Sequence, residues 1–240
     1  MEITYAISSF PGDREPNEDF AAAEYSGGRY CFTVADGLGG HGRGEAASRL
    51  VCETAQQYFK DHRECSIETM FEAAQEKLLE KQREENVVDA MKTTLNVLVV
   101  GGNGIQGGHV GDTRSYYFKK NKLVSRTKDH SVPQMMVSMG EIKDKDIRHH
   151  VDRNRLLRVM GIEWNKPQYV LSEAVKPGHK QAFLMCTDGF WEYIEDKDME
   201  KCLKKATDVQ GWLDAMNAVV RQNGKDSDMD NYTALAVWIH

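Results

Sequence analysis

Cysteine is sparse and unpaired in this chain: Cys31, Cys52, Cys65, Cys186 and Cys202 are odd in number and form no CxxC pair. That pattern excludes a disulfide framework and a thiolate zinc site, and leaves reduced thiols. Long apolar runs are missing too, since none reaches the roughly 18 residues of a membrane span. The opening MEITYAISSFPGDRE has no basic segment followed by an apolar one, so a cytoplasmic protein with no membrane attachment is expected. Positive charge is short as well: 31 Lys and Arg against 37 Asp and Glu give a net charge of −6. A partner with a phosphate backbone is therefore not expected, because such binding normally shows as a basic stripe. Covalent catalysis finds no nucleophile, for there is no GxSxG elbow, no HExxH and no arginine six positions after any cysteine. Repeats and low-complexity tracts are absent.

What is present is an ordinary globular composition, 240 residues with 40% hydrophobic and 28% charged. This length fits one domain over residues 1–240. Strand-like runs are ITYAISSF, RYCFTVAD, TTLNVLVVGG, IQGGHVGD, RSYYFK, KLVSR, QYVLSEAV, QAFLMCTD and TALAVWIH, each bounded by Gly, Asn, Lys or Asp. Helical spacing of three and four appears over 45–59 (Ala47, Leu50, Val51, Ala55), 67–78 (Met70, Phe71, Ala74) and 209–220 (Trp212, Leu213, Met216). Strands in hairpin-like succession, with helices inserted singly or in pairs, point to antiparallel sheets flanked by helices, an α+β class. Residues 127–165 are the least sheet-like and read as a short helical flap over one edge.

Two signals fail on inspection. Gly102 to Gly107 spells GxGxxG, but GHVGDTRSYYF follows where a dinucleotide site needs a helix, so a hairpin turn is the reading. Asp226, Asp228 and Asp230 imitate the start of a calcium loop, yet Asn231 and Val237 stand where glycine and glutamate are required.

Carboxylates gather at strand ends: Asp36 in VADG, Asp112 in HVGD, Asp188 in LMCTDG and Asp230 in MDNYT, with Arg14, Glu18 and Asp19 of REPNED after the first strand. Any one alone reads as a solvated turn. Converging carboxylates repel unless they share protons or a cation, and oxygen ligands without thiolates or clustered histidine select magnesium or manganese. Glycine beside Asp36 would let the Gly37 carbonyl approach such an ion closely.

In order and spacing these segments resemble the metal-dependent protein serine/threonine phosphatases of type 2C in their compact bacterial form. The motifs are RxxNED (Arg14 to Asp19), DGxGGH (Asp36 to His41), GDTR (Gly111 to Arg114), TKDHS (Thr127 to Ser131), RNxLxRxxG (Arg153 to Gly161), TDG (Thr187 to Gly189) and DNYT (Asp230 to Thr233). The resemblance implies a four-layer α-β-β-α sandwich and hydrolysis of phosphoserine and phosphothreonine by direct attack of a water activated at a dinuclear metal centre. It implies that Asp36 bridges two Mn2+ or Mg2+ ions, that Gly37 gives its carbonyl to one, and that Asp188 and Asp230 complete the other. Glu18 and Asp19 would orient the waters of these ions, and a third, weaker ion would be held by Asp112 with Asp188. Arg14 would clamp the substrate phosphate, which its planar fork matches.

His41 is the candidate acid for the departing oxygen. Family members of eukaryotic origin often carry histidine directly after the Asp-Gly pair, and here that position is Leu38, so the acid is His41 or a metal-bound water; alternatively His41 only hydrogen-bonds within its loop. Asp129 and His130 are expected to orient the flap, Arg158 to pair within the fold, Met135, Met136 and Met139 to pack, and Glu192 to be structural, a lean toward the third ion being its lesser alternative. Partners implied are phosphorylated serine/threonine proteins and an opposing eukaryotic-like serine/threonine kinase in a bacterium, the enzyme itself being a monomer. Two other readings remain open: an inactive phosphoprotein-binding module of the same fold, and a two-metal nuclease, which the acidic charge disfavours.

Overall fold

Side chains along a strand alternate faces, and the strand Arg29–Leu38 uses both: Cys31 and Ala35 pack outward under helices, while Phe32 and Val34 face a second sheet. The whole architecture follows from that double burial. The computed structural model describes residues 2–38, 43–87, 90–102 and 104–240. In chain order the elements are β1 (Ile3–Phe10), β2 (Asp19–Ser26), β3 (Arg29–Leu38), α1 (Arg43–Asp61), α2 (Ile67–Glu85), β4 (Lys92–Thr93), β5 (Leu95–Gly101), β6 (Gly104–Val110), β7 (Arg114–Lys119) and β8 (Lys122–Arg126). They continue with α3 (Val132–Met139), a 3-10 turn at Asp144–His149, β9 (Val170–Leu171), β10 (Gln181–Cys186), α4 (Asp188–Trp191), α5 (Asp196–Lys205), α6 (Val209–Gly224) and β11 (Tyr232–Ile239).

One sheet has the order β1-β11-β10-β7-β8 and the other β2-β3-β5-β6-β9, with β4 paired to β3; the pairings are antiparallel. Three apolar clusters mark three interfaces between four layers. Ala47, Val51, Phe71 and Leu78 of α1 and α2 cover the β3 sheet, Trp212, Met216 and Met199 of α6 and α5 cover the β11 sheet, and Phe32, Leu98, Met185 and Leu235 fill the space between sheets. This is the α-β-β-α sandwich that the resemblance implies.

Local chemistry explains the helix limits. Ser66 accepts the Thr69 amide at the start of α2 and Asn86, at φ 55°, closes it in the left-handed conformation; Asp208 accepts the Gly211 amide at the start of α6. The segment 127–165 carries α3 and the 3-10 turn, as the flap reading requires. No helix among the described residues is long and apolar enough to cross a membrane.

Several expectations need correction. DFAAAEYS reads poorly as a strand because alanine and aspartate favour other states, yet full pairing with β3 makes it β2. Asp36 does not end its strand, for β3 continues to Leu38 where β4 pairs with it. Asp188 opens the single turn of α4 where the sequence pattern prolongs β10. QYVLSEAV contributes only Val170–Leu171 and a lone bridge from Val175 to Ile105. Helix α5 was hidden by its charge, since DKDMEKCLKK buries only Met199 and Leu203.

Candidate active site

The acidic residues collect at one end of the layer between sheets, where apolar rows run out. In β3 the row Phe32, Val34 becomes Asp36; in β2 the row Ala23, Ala21 becomes Asp19, and the two aspartates are register partners. Across the gap, the row Phe183, Met185 of β10 becomes Thr187, which donates its hydroxyl to Asp19 Oδ2 at 2.8 Å and accepts the Thr233 amide at 3.0 Å. Thr187 thus ties the two sheets together beneath the site. Asp188 follows it, Asp230 precedes β11, and Asp112 sits in the turn from β6 to β7.

Asp36, Asp188 and Asp230 are partly open to solvent, while Asp19 and Asp112 are buried. These carboxylates lie near enough to raise one another's pKa. Burial, then the charges of Asp188, Asp19, Asp112 and Asp230, push the Asp36 carboxyl well above the usual range. Burial likewise raises Asp112, with Asp188 adding to it, and lifts Asp19 to about 8 and Asp188 to about 6, each against a normal 3.8. Glu18 is raised by burial, partly offset by the Gly44 amide it accepts at 3.2 Å from the first turn of α1.

Such a cluster fits hard divalent cations. The donors are all oxygen, the groups repel one another, and Asp19 Oδ1 is buried with no hydrogen-bond partner, a position that a water of an ion would satisfy. Among the described residues no three acidic, histidine or cysteine side chains close into a finished cage. Water and backbone oxygen would then complete the coordination, as magnesium and manganese commonly allow.

Gly37 is also held close to α1. Its amide donates to the Glu18 carbonyl at 3.1 Å, and a Cβ there would stand 2.3 Å from the Gly44 backbone. The close approach is to α1. Arg14 reaches the cluster, with Nη2 3.1 Å from Asp228 Oδ2 and Nε 3.9 Å from Asp230 Oδ1. His41 lies outside the described residues.

Supporting contacts explain how Asp112 and Asp188 are held. Trp191 donates its indole N–H to the Asp112 carbonyl at 3.0 Å, and the Arg114 guanidinium stacks 3.4 Å from the Trp191 ring. Asp129 accepts two bonds from Arg114, at 2.8 and 2.6 Å, which fixes the flap root as expected for Asp129. His130 accepts the Gly111 amide at 3.2 Å and donates its own amide to the Gly111 carbonyl at 2.9 Å. From the 3-10 turn, Arg148 donates to the carbonyls of Trp191, Glu192 and Ile194 at 2.9, 3.3 and 3.0 Å.

Glu192 pairs with Arg153 at 2.9 Å, and burial together with the Asp188 charge lifts its carboxyl to about 7. A cavity of about 620 Å³ lies beside this pair, lined also by Arg148, His149, Tyr193 and Asn223. Arg158 is exposed and forms no ion pair among the described residues; its charge instead disfavours protonation of His109 and His130. Met135 and Met139 are exposed, not packed. The roles of Thr187, Trp191 and Arg148 escape sequence reasoning because they depend on tertiary neighbours; Thr187 stands in the TDG motif, and its parity with Phe183 and Met185 signals its task.

The chain matches a family model described as protein phosphatase 2C over residues 12–234. It is 26% identical to the serine/threonine protein phosphatase PstP of Mycobacterium tuberculosis, covering 95% of this chain and 44% of PstP, so it spans less than half of that relative's length. It is 27% identical to the serine/threonine phosphatase stp of Listeria monocytogenes, covering 93% of this chain and 90% of the relative. The catalytic domain of PstP in complex with two manganese ions superposes with a TM-score of 0.81 at 25% identity, over 99% of this chain and 98% of that one.

Proposed function

The chain belongs to the protein phosphatase 2C family, and from that premise we propose that it hydrolyses phosphoserine and phosphothreonine on proteins at a divalent-metal centre. The observation that carries the reading is the convergence of Asp19, Asp36, Asp112, Asp188 and Asp230 at one end of the intersheet layer with Arg14 beside Asp230. Asp36, Asp188, Asp230 and the Gly37 carbonyl would hold two core ions, manganese or magnesium, with a third, weaker one at Asp112 and Asp188. The PstP complex with two manganese ions supports manganese. Bound there, such ions lower the pKa of water and offset the charge of the phosphoryl oxygens.

The protein's own residues have separable tasks in this reading. Arg14 grips two phosphoryl oxygens through parallel N–H donors. Glu18 and buried Asp19 orient water from beneath, Asp19 itself being held by Thr187. His41 gives a proton to the departing serine or threonine oxygen. The remainder of the proposal is that residues 1–240 act as one catalytic domain, monomeric and cytoplasmic, opposed by a serine/threonine kinase. Incubating the purified protein with phosphothreonine and phosphotyrosine peptides in water labelled with heavy oxygen tests it. Selective release from phosphothreonine, with label in the free phosphate and no phosphorylated protein, is expected; label-free phosphate or a phosphoprotein intermediate would contradict direct attack by water.

A further inference from the structure

Arg14 already has partners at the mouth of the acidic cluster. Its Nη2 lies 3.1 Å from Asp228 Oδ2, while its Nε stands 3.9 Å from Asp230 Oδ1, beyond hydrogen-bond distance, so Asp228 is the nearer ion-pair partner. A guanidinium has five N–H donors and two edges that can offer a parallel pair. An anchor of Nη2 at Asp228 limits how the guanidinium turns, and its Nη1/Nη2 edge is able to take two oxygens of a phosphate.

The backbone fixes this meeting. Asp13 donates its amide to the Met229 carbonyl at 2.9 Å, Met229 donates back to Asp13 Oδ2 at 2.9 Å, and Asn231 Nδ2 donates to the Pro11 carbonyl at 2.8 Å. Gly12, at φ +63°, passes so close that a Cβ would stand 2.3 Å from the Asp230 carbonyl oxygen. The loop bearing Arg14 and the loop bearing Asp228 are therefore stapled to each other. The pair itself is exposed, 48% and 71% for the two side chains, and a pair in that setting adds little to stability. Its consequence is orientation.

We propose that Asp228 is a positioning residue for Arg14, its ion pair at Nη2 limiting the turn of the guanidinium so that the Nη1/Nη2 edge faces the ester phosphate. Asp230 is expected to serve a cation, which leaves Asp228 as the carboxylate that holds Arg14. The inference rests on the phosphoester reading of the site. It also runs against simple charge: Asp228 is an anion near an anion-binding site, and removing it should by Coulomb's law alone tighten phosphate.

That opposition gives the test its sign. KM for a phosphothreonine peptide and Kd for inorganic phosphate are measured with magnesium for the unaltered protein, Asp228→Asn, Asp228→Glu, Arg14→Lys and the Asp228→Asn/Arg14→Lys double variant. Freeing one long side chain should raise both constants in Asp228→Asn by about three- to tenfold, with kcat changed less. Asp228→Glu should restore most of the loss. In the Arg14→Lys background the ammonium has no edges to orient, so Asp228→Asn should leave both constants unchanged or lower them. Lower or unaltered constants in Asp228→Asn alone, or the same rise with lysine at position 14, would overturn the inference.

A protein that releases no phosphate would refute the phosphatase reading without deciding this one. The Nε–Hε resonance of Arg14 in nitrogen-15 spectra of the metal-free protein decides it independently. A sharp signal that broadens in Asp228→Asn is expected, and one that does not change would overturn the proposal.

Discussion

Asp36 shows the conflict built into the site at the scale of one residue. It completes a row of side chains whose other members, Phe32 and Val34, are fully buried hydrophobics, and it faces four other carboxylates. A group there favours function over the stability of the empty protein. Asp36→Asn should accordingly raise the melting temperature of the metal-free protein, measured by scanning calorimetry, while abolishing phosphate release. A lower melting temperature would mean that the cluster is not under mutual repulsion. For His41 the expected outcome is selective: His41→Ala loses activity on phosphothreonine peptides, whose leaving oxygen needs a proton, and retains most of it on an aryl phosphate. Equal retention on both substrates removes the acid role. The aspartates were legible in the sequence because each stands in a short motif with glycine or asparagine. Asp228 was not, since its only sequence signal was an abortive calcium loop, and its meeting with Arg14 is made by folding.

At the scale of the element, α4 is a single turn that carries Asp188 at one end and is held by Arg148 at the other. A cation bonded to its terminal carbonyls satisfies groups that such a short helix cannot satisfy itself. Arg148→Ala should cost about 2 kcal/mol, in line with hydrogen bonds to a charged group, and should lower kcat through the displaced Asp188. Urea denaturation and steady-state kinetics check the two parts. Arg148→Lys should recover little, because an ammonium on a flexible stem does not reproduce the fork. An alanine variant with full stability would show that α4 holds itself. Strong periodicity made α1, α2, α6 and most strands legible. The elements that escaped were those whose residues argue against them: β2 with three alanines and an aspartate, α5 with seven charged residues in ten, and α4 with only four residues.

Across the whole molecule, the four layers place one acidic mouth between two sheets, and that arrangement ties stability to pH. Asp19 and Asp188 have folded-state values of about 8 and 6 against 3.8, so between those limits the folded state binds more protons and stability falls as pH rises. His130, half-buried and stacked 4.6 Å from His109, is depressed to about 3 from 6.5 by burial first. Its contribution has the opposite sign, being fully present above 6.5 and lost as pH falls below it. The clean window therefore lies between 6.5 and 8, where the metal-free protein should melt higher at the acidic end. Saturating manganese should remove or reverse that difference, because ion binding favours the charged carboxylates. Antiparallel sheets flanked by helices were legible from strand and helix order, but the sandwich, which strands share a sheet, and hence that five distant aspartates meet, followed only from the resemblance and then from the fold.

The most direct measurement is a manganese titration of phosphate release from a phosphothreonine peptide, run beside Asp188→Asn with chelator as the zero point. The acidic cluster as a catalytic metal centre predicts no release in chelator, a saturable rise with manganese, and loss of that rise in the variant. Release in chelator, or an Asp188→Asn protein that responds to manganese like the unaltered one, would contradict it.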